Sequence, residues 1–319
     1  MKIYRNDCTD PYFNLASEEY LLETEQDDVF MLWQNQPAVI IGRNQNAYAE
    51  INRSFVEENG IPVVRRLTGG GAVFHDLGNL CFTFITSREK CPEMDFSRFC
   101  KPVIDALRQL GIPAELSGRN DMTVEGRKFS GNAETVYNDK VLHHGTILLT
   151  ADLSRLEGAL KVDEEKMRSK GIKSVRSRVC NLSEYRPDLT VEELKDHLES
   201  TFEEAPITFS TLQIESITSL ARTKYATWEW NFGTSKEYAT TVKRRFPYGA
   251  VEVSYSSNHG TLTEVSFSGD YFGERDMEEL EKELVGVRLD RESLLSPLGD
   301  VASYIYGATA EEIVGLFLA

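Results

Sequence analysis

Three consecutive glycines between two apolar runs constrain the fold of this chain more than any other stretch of its sequence. The glycines at 69–71 follow Arg65 and Arg66, which end the apolar run 61–64. Glycine adopts a positive φ without a steric penalty and lets a ligand approach the backbone closely. Successive N–H groups can form a concave anion-binding nest, and arginine adds a permanently charged fork of donors. The stretch therefore predicts a strand–loop–strand unit, and the glycines alone leave open whether its loop binds an anion or is a plain hairpin turn.

Charge and cysteine content exclude several classes of protein. The chain of 319 residues carries a net charge of −16, which disfavours general binding to nucleic acid or to an anionic membrane. Five cysteines without a CxxC pair predict neither a disulfide framework nor a zinc site. The first residues lack the apolar core of a signal peptide, and no apolar run approaches the ~20 residues of a membrane span. These features predict a cytoplasmic protein with reduced thiols and with neither a nucleic-acid nor a membrane partner.

The pattern of apolar residues predicts a chain that mixes strands and helices. Helical spacing extends over 96–110, although Pro102 lies inside it and would kink the helix or begin a new segment. The run 80–86 is too apolar for a strand with one wet face, so it is predicted to be a central strand. Further helices are predicted at 14–25, 47–59, 151–160 and 190–203, and further strands at 29–33, 38–41, 61–66 and 72–75, with a β-rich segment at 114–150.

Two further stretches carry positive charge in a form that suits a phosphate ligand. Lys128 lies among glycines and beside Arg127, and at ~4 Å and an effective dielectric of about 20 its charge would stabilise an anion by roughly 4 kcal/mol before desolvation. The segment 168–178 contains five basic residues and no acid. Each stretch alone can also be a solvated surface feature, so neither decides the chemistry.

A pair of adjacent histidines lies at the start of a predicted strand. Neighbouring strand residues face opposite sides of a sheet, so at most one of His143 and His144 faces a given pocket. No further ligands accompany them in a spacing that predicts a metal site.

Five motifs in this order resemble the lipoate–protein ligase A family. They are RRLTGGGAVFHDLGN at 65–79, GRNDMTVEGRKFSGNA at 118–133, HHGTILLTADLSRL at 143–156, KGIKSVRSRVCNL at 170–182 and WEWNFG at 228–233. The resemblance covers nearly the whole chain, from a segment near residue 14 to the end. Five motifs in sequence are far more specific than any one of them. The catalytic domains of this family are similar to those of biotin–protein ligases and octanoyltransferases.

The resemblance implies an α+β fold, with a large mixed-sheet catalytic domain of the biotin- and lipoate-ligase type and a small α/β C-terminal accessory domain. A hinge around 246–249 places the boundary between domains 1–247 and 248–319. The second segment carries 14 acidic and 4 basic residues. In the family this domain is expected to reorient during the reaction. Its predicted elements are strands at 251–256 and 261–267 around a turn at 258–260, and helices at 276–285 and 310–318.

The activity that the resemblance implies is a two-step ligation. Free lipoate reacts with ATP to give lipoyl-adenylate and pyrophosphate, and the ε-amine of an acceptor lysine then attacks the mixed anhydride, releasing AMP. Because a carboxylate must approach the α-phosphate, the site has to be cationic, and Mg²⁺ is expected to neutralise the phosphates. The expected acceptors are lipoyl domains of 2-oxoacid dehydrogenase E2 subunits and the glycine cleavage H protein. The expected enzyme is a monomer.

The matched motifs assign the family's site residues to particular positions. Lys128 matches the essential lysine, which would clamp the lipoate carboxyl oxygen and the α-phosphate without forming a covalent bond. Asp121 is the candidate magnesium ligand, and 170–178 matches the loop that closes over the adenylate and excludes water. The expected contacts to ATP and the adenylate are Arg66, Gly71, Ala72, Val73, Phe74, Asn79, Lys128, Lys173 and Arg176. The expected contacts to lipoate are Arg65, Gly70, Gly71, Lys128 and His144.

Two alternatives remain open at this point, and a third is less favoured still. An acyltransferase that works through a thioester would need an activated thiolate, and Cys180 at the end of the basic segment is the candidate. A non-catalytic lipoate or nucleotide sensor on the same fold would not need an intact Lys128. A biotin ligase is disfavoured because its glycine–arginine-rich adenylate signature is absent from the sequence.

Overall fold

Two sheets form the framework of the chain up to residue 233. The structure, a computed structural model, describes residues 1–118, 120–161, 178–233 and 240–318. The strands of this part are β1 (Lys2–Arg5), β2 (Val29–Trp33), β3 (Ala38–Ile41), β4 (Val63–Arg65), β5 (Val73–His75), β6 (Asn79–Ser87), β7 (Ala114–Ser117), β8 (Asp121–Val124), β9 (Arg127–Tyr137) and β10 (Lys140–Leu148).

The larger sheet is mixed and has the strand order β1-β2-β6-β10-β9-β8-β7. Its β1 and β2 run parallel, whereas every other neighbouring pair is antiparallel. The smaller sheet has the order β4-β3-β5, with β3 and β4 parallel. The predicted glycine loop connects β4 to β5, so it leaves the smaller sheet at one edge strand and returns at the other. The prediction that 80–86 is central is confirmed, because β6 lies between β2 and β10.

Helices cover both faces of the larger sheet. The face that carries Phe82 and Phe84 packs against Phe99 and Val103 of one helix and Leu198 of another. The opposite face packs against the first helix and the smaller sheet. In the described part of the chain before residue 234, the helices are α1 (Pro11–Thr24), α2 (Ala47–Glu50), α3 (Arg53–Glu58), α4 (Phe96–Gln109), α5 (Leu153–Ala159), α6 (Val191–Ser200), α7 (Thr211–Leu220) and α8 (Trp228–Phe232).

The predicted helices are mostly confirmed, and two differences lie in the described residues before 234. The segment 47–59 forms two short helices, α2 and α3, because Ile51 pairs with Leu160 and Asn52 caps the second helix by accepting from Phe55 N. The region 211–232, for which no helix was predicted, forms α7, a short π-helical turn and α8. Pro102 lies inside α4, which continues through it.

Residues 240–318 form a C-terminal unit with its own core. Its antiparallel sheet contains β11 (Thr240–Phe246), β12 (Gly249–Asn258) and β13 (Thr261–Gly269) in that order. The predicted boundary at 247/248 falls between β11 and β12, two strands of this one sheet, and we group β11 with the C-terminal unit. Its helices are α9 (Met277–Leu284), α10 (Arg291–Leu295), α11 (Val301–Tyr304) and α12 (Ala310–Phe317).

The C-terminal unit rests directly on the first part of the chain. Arg43 pairs with Asp276 at 2.8 Å, and the ring of Phe272 lies 5.4 Å from that of Phe96. Gly269 N donates to Asn44 O at 2.8 Å. These contacts place the end of β13 and the residues after it beside the glycine loop. Among the described residues, no helix is both long enough and apolar enough to cross a membrane.

Candidate active site

The glycine loop allows two backbone segments to approach very closely. Gly70 has a φ of 87°, in the left-handed region that favours glycine. A β-carbon on Gly42 would lie 2.0 Å from Gly70 O, and one on Gly69 would lie 2.3 Å from Tyr271 O. Gly70 N donates to Tyr271 O at 3.2 Å. One of the three N–H groups that the sequence offered to an anion is therefore used by the C-terminal unit.

Arg66 braces the glycine loop from within. Its Nη2 donates to Gly69 O at 2.6 Å and to Gly71 O at 2.9 Å, and its Nε donates to Thr68 Oγ1 at 2.9 Å. Burial lowers the pKa of Arg66 to about 10, so the guanidinium stays charged at neutral pH. The side chain thus fixes the loop and places a positive charge beneath it.

Arg65 holds several backbone segments together. Its guanidinium donates to five backbone carbonyls, three in the segment 42–45 and those of Trp230 and Asn231. Asn231 Oδ1 in turn accepts from Arg65 N at 2.8 Å, and Trp230 Nε1 donates to Arg65 O at 2.8 Å. The WEWNFG motif therefore packs α8 onto the end of β4. The described contacts of Arg65 hold these segments together, and its contact to lipoate stays a prediction.

A β-bulge directs Lys128 out of its sheet. In the β8–β9 pair, Met122 pairs with Ser130 and Thr123 pairs with Lys128, so Phe129 is the extra residue. Bulges bend a strand and re-aim its side chains. Phe129 is fully buried in the main core, while the Lys128 side chain is partly exposed and lines a cavity. The backbone of Lys128 is also held on its free edge, where its N donates to Arg178 O at 2.8 Å.

Lys128 belongs to a cluster of three charged side chains. Its Nζ lies 2.6 Å from Asp121 Oδ1, and Arg178 Nη2 lies 3.0 Å from Asp121 Oδ2. A β-carbon on Gly131 would lie 2.9 Å from Lys128 Nζ, so this glycine leaves the space that the ammonium occupies. One carboxylate between two cations gives the cluster a net positive charge, as an approach of two anions requires.

Two cavities meet at this cluster. The first, which we call the α5 cavity, has a volume of about 250 Å³ and lies between β5, α5 and the C-terminal sheet. The second, the Trp33 cavity, has a volume of about 630 Å³ and includes Leu15, Trp33 and Ile40 in its wall. The residues that line both cavities are Gly71, Ala72, Val73, Lys128, Gly131, Thr146, Arg178, Arg245 and Asp270.

His144 connects α1 to the glycine loop. Its Nδ1 lies 2.9 Å from Glu18 Oε1, and its Nε2 lies 2.8 Å from Thr68 Oγ1, which also accepts from Arg66. His144 lines the Trp33 cavity. This chain of hydrogen bonds positions the loop from behind the cavity.

His143 faces the opposite side of its strand, as alternation predicts. It is fully buried, with its ring 4.7 Å from that of Phe99 and its Nδ1 3.0 Å from Glu134 Oε2. Burial raises the pKa of Glu134 to about 8 and lowers that of His143 well below its usual value. The pair is therefore a neutral, hydrogen-bonded element of the core at pH 7.

Asn79 presents a buried acceptor to the α5 cavity. The residue is fully buried at the start of β6, and its Nδ2 donates to Cys81 Sγ at 3.2 Å. Within the described residues its Oδ1 has no hydrogen-bond partner. Because buried polar atoms rarely go unpaired, this oxygen suits a donor group of a bound ligand.

Neither cysteine near the site is an activated thiolate. Cys180 is fully buried, and burial raises its pKa to about 11. Cys81 lines the Trp33 cavity, and burial raises its pKa well above the usual value. The chemistry of a thioester intermediate needs a lowered thiol pKa, so this environment disfavours the cysteine alternative.

The structure brings most of the predicted site residues together around the two cavities. Lys173 and Arg176 lie outside the described residues. Three residues of the C-terminal unit that the sequence analysis did not select, Lys243, Arg245 and Asp270, also line the α5 cavity, and the basic run 243–245 was their only signal. The predicted residues that line one or both cavities are Arg66, Gly70, Gly71, Ala72, Val73, Phe74, Asn79, Asp121, Lys128 and His144.

Comparison with known proteins assigns the family. Residues 10–203 match the model of the lipoyl protein ligase A/B catalytic domain, and residues 235–317 match that of the bacterial lipoate protein ligase C-terminus. The chain belongs to the lipoate–protein ligase family. It is 41% identical to lipoate-protein ligase LplJ of Bacillus subtilis, over 98% of both chains.

Solved structures of lipoate–protein ligases share this architecture. P. falciparum LipL1 in complex with lipoate matches with a TM-score of 0.83 and 25% identity, covering 99% of both chains. A lipoate-protein ligase A bound with ATP matches with a TM-score of 0.63 and 27% identity, covering 73% of this chain and 99% of that one. These findings confirm the α+β fold, with its mixed sheet and small C-terminal domain, and the family that the five motifs indicated. As a lipoate–protein ligase, the chain is an enzyme that forms an amide bond.

Proposed function

We propose that this ligase activates free lipoate with ATP and transfers the lipoyl group to a lysine ε-amine of an acceptor lipoyl domain. The observation that carries the proposal is the position of Lys128 where the two cavities meet. The apolar wall around Trp33 suits the dithiolane-bearing tail, and the adjoining α5 cavity suits the adenosine part of the nucleotide. In this arrangement the lipoate carboxylate and the α-phosphate both reach the Lys128 ammonium.

The first half-reaction forms the mixed anhydride. A lipoate carboxylate oxygen attacks the α-phosphorus, the bond from phosphorus to the bridging oxygen breaks, and its electron pair leaves with pyrophosphate. Lys128 Nζ, now 2.6 Å from Asp121, donates instead to the carboxyl and α-phosphate oxygens. Arg178 retains Asp121 at 3.0 Å, so the carboxylate stays paired when Lys128 turns to the ligands.

The nucleotide contacts follow from the walls of the α5 cavity. The backbone from Gly71 to Phe74 offers N–H and carbonyl groups along one side. The buried Oδ1 of Asn79 accepts from an amino group, as the exocyclic amine of adenine provides. Arg66 acts through the loop carbonyls that it holds and through its charge.

Magnesium enters this site with ATP, as part of the substrate. Mg²⁺ is typically bound by one or two carboxylates together with the substrate phosphates. Asp121 lines the Trp33 cavity and pairs with Lys128 and Arg178, which line both cavities, and it fits this role once a phosphate competes for Lys128. The ion would neutralise phosphate charge there.

The second half-reaction makes the amide. The acceptor ε-amine attacks the carbonyl carbon of the anhydride, the bond to the AMP oxygen breaks, and the amine loses a proton. We propose the lipoyl domains of 2-oxoacid dehydrogenase E2 subunits and the glycine cleavage H protein as acceptors, and a cytoplasmic monomer as the working form. The free thiols of the five cysteines agree with a reducing compartment.

The test is attachment of free lipoate to a purified apo lipoyl domain, measured by intact mass. We expect a lipoyl mass gain only when ATP and Mg²⁺ are both present. No gain with ATP, together with transfer from an acylated carrier protein, would refute the proposal and move the chemistry to a cysteine. Parallel reactions with an apo H protein test the acceptor range separately.

A further inference from the structure

Strand β11 directs two basic side chains into the α5 cavity from the C-terminal unit. Successive residues of a strand face opposite sides of the sheet. Val242 and Phe246 pack against the core of the C-terminal unit, and Arg244 Nη1 lies beside Gly315 of α12 on the same side. Lys243 and Arg245 occupy the alternate positions, and both line the α5 cavity.

These two side chains add to the positive charge that lines the α5 cavity. Across the α5 cavity lie Lys128 and Arg178, which belong to the cluster around Asp121. The four basic residues come from β9, from the segment after 177 and from β11. Cationic side chains placed around one cavity create a local field that attracts a multiply charged anion.

The charge of β11 is opposite to that of the rest of its unit. Residues 248–319 carry 14 acidic and 4 basic residues, whereas β11 carries three basic residues and no acid. Arg245 Nη2 lies 3.4 Å from Asp270 Oδ2, and their side chains are only 17% and 12% exposed. This contact fixes the guanidinium at the cavity wall, while Lys243 remains at its exposed rim.

The other walls direct the polyphosphate towards β11. The α5 side of the cavity carries Leu156 and Leu160, with two carboxylates, Glu50 and Glu157, and one lysine, Lys161, whose Nζ donates to Tyr48 O at 2.8 Å. This excess of negative charge suits the uncharged adenosine part better than a polyphosphate. Arg245 lines both cavities, so it lies near the point where lipoate and nucleotide meet.

We propose that Lys243 and Arg245 bind the β- and γ-phosphates of ATP and then the leaving pyrophosphate. The inference rests on the proposed function and adds a subsite to it. When the bond from the α-phosphorus to the bridging oxygen breaks, the leaving group gains the electron pair, and a neighbouring cation stabilises that charge. Pyrophosphate has left before the acceptor lysine arrives. The two residues therefore serve adenylation and are not needed for transfer.

The experiment separates the two half-reactions in the full-length enzyme. The double variant K243A/R245A is assayed for lipoate-dependent ATP–pyrophosphate exchange, and separately for transfer from synthetic lipoyl-AMP to an apo lipoyl domain without ATP. We expect exchange to fall at least tenfold, with a raised KM for ATP and weaker inhibition by added inorganic pyrophosphate. We expect transfer from lipoyl-AMP to stay within twofold of the wild-type rate.

The control variant is R244A, which removes a positive charge from the same strand but from its opposite face. It should leave both half-reactions within twofold. Exchange within twofold in the double variant would overturn the inference, and so would an equal loss of both half-reactions, since that indicates a general structural effect. Formation of lipoyl-AMP by the wild-type enzyme is measured first, before any variant is compared. If the wild-type enzyme forms none, the proposed function itself is refuted.

Discussion

Replacement of Lys128 by alanine is the most direct test of the proposed chemistry. The ammonium now lies 2.6 Å from Asp121 Oδ1 and would lie at a similar distance from the reacting oxygens. At about 3 Å and an effective dielectric of about 20, one such charge contact contributes roughly 5 kcal/mol before desolvation. The side chain is 26% exposed, so solvent screens part of this energy. Single preorganised donors in active sites contribute about 3–4 kcal/mol, and we expect adenylation to slow by roughly 10²- to 10³-fold.

The same structure predicts that this variant folds. Without Lys128, Asp121 keeps its contact with Arg178, so no buried carboxylate is left alone. Partly exposed ion pairs contribute at most about 1 kcal/mol, and the melting temperature should change by only a few degrees.

Single-turnover formation of lipoyl-AMP, followed by chromatography, measures the expected loss. The control Lys90→Ala removes a lysine that pairs with Asp28 on the surface, away from both cavities, and should behave as wild type. A folded Lys128→Ala enzyme that forms lipoyl-AMP within threefold of the wild-type rate would show that the reasoning about this ammonium is wrong.

Three further predictions follow from particular contacts. Gly131→Ala places a β-carbon 2.9 Å from Lys128 Nζ, so we expect the rate of adenylation to fall by about tenfold to a hundredfold with little change in thermal stability. An unchanged rate would contradict the assigned position of the ammonium. Cys180→Ala should retain ATP-dependent ligation, because this buried thiol is protonated at neutral pH, and its loss of activity in a folded enzyme would revive the thioester alternative. The folded chain holds the Glu134 proton up to about pH 8, whereas the unfolded chain loses it near pH 4, so this group makes stability fall as pH rises. Between pH 6.5 and 8, His143 is already neutral in the unfolded chain, so the free energy of unfolding should decline by up to about 1.4 kcal/mol per pH unit relative to Glu134→Gln. Urea titrations of both proteins at three pH values would measure this decline. If the free energies of unfolding of the two proteins changed in parallel with pH, this assignment would be refuted.

Local sequence patterns predicted those helices and strands whose conformation follows from the spacing of their own apolar residues. The amphipathic spacing of α4 fits a helix that packs one face on a core, and the largely apolar run of β6 fits a strand inside a sheet. The segment 47–59 shows the limit of this reasoning. Its apolar spacing continues across Ile51, but the backbone there pairs with Leu160, a residue more than a hundred positions away. Such a long-range bridge overrides local helical preference, and periodicity carries no sign of it.

The candidate site was predictable where chemistry and motif coincide in one stretch. Lys128 and the glycine loop are examples, because a cation between glycines and a run of three glycines are both unusual. The structural contacts of Arg65 were not predictable, because charge alone does not show what a guanidinium contacts. Its partners are carbonyls of the segment 42–45 and of α8, which only the fold brings together. Lys243 and Arg245 were not predicted as site residues, because their proposed role depends on the C-terminal sheet, which packs across the cavity.

The three glycines have a second physical requirement besides ligand binding. The sequence alone indicates that they can form an anion-binding nest. In the structure, Gly70 N donates to Tyr271 O, and a β-carbon on Gly69 would collide with that same carbonyl. The glycine loop is thus also the surface on which the C-terminal unit rests. Because β13 leads directly into this contact, the contact also holds Asp270 and its partner Arg245 at the cavity. The small loop and the basic face of β11 therefore depend on each other: without side chains at 69 and 70 the C-terminal sheet can lie close enough for its cations to line the site.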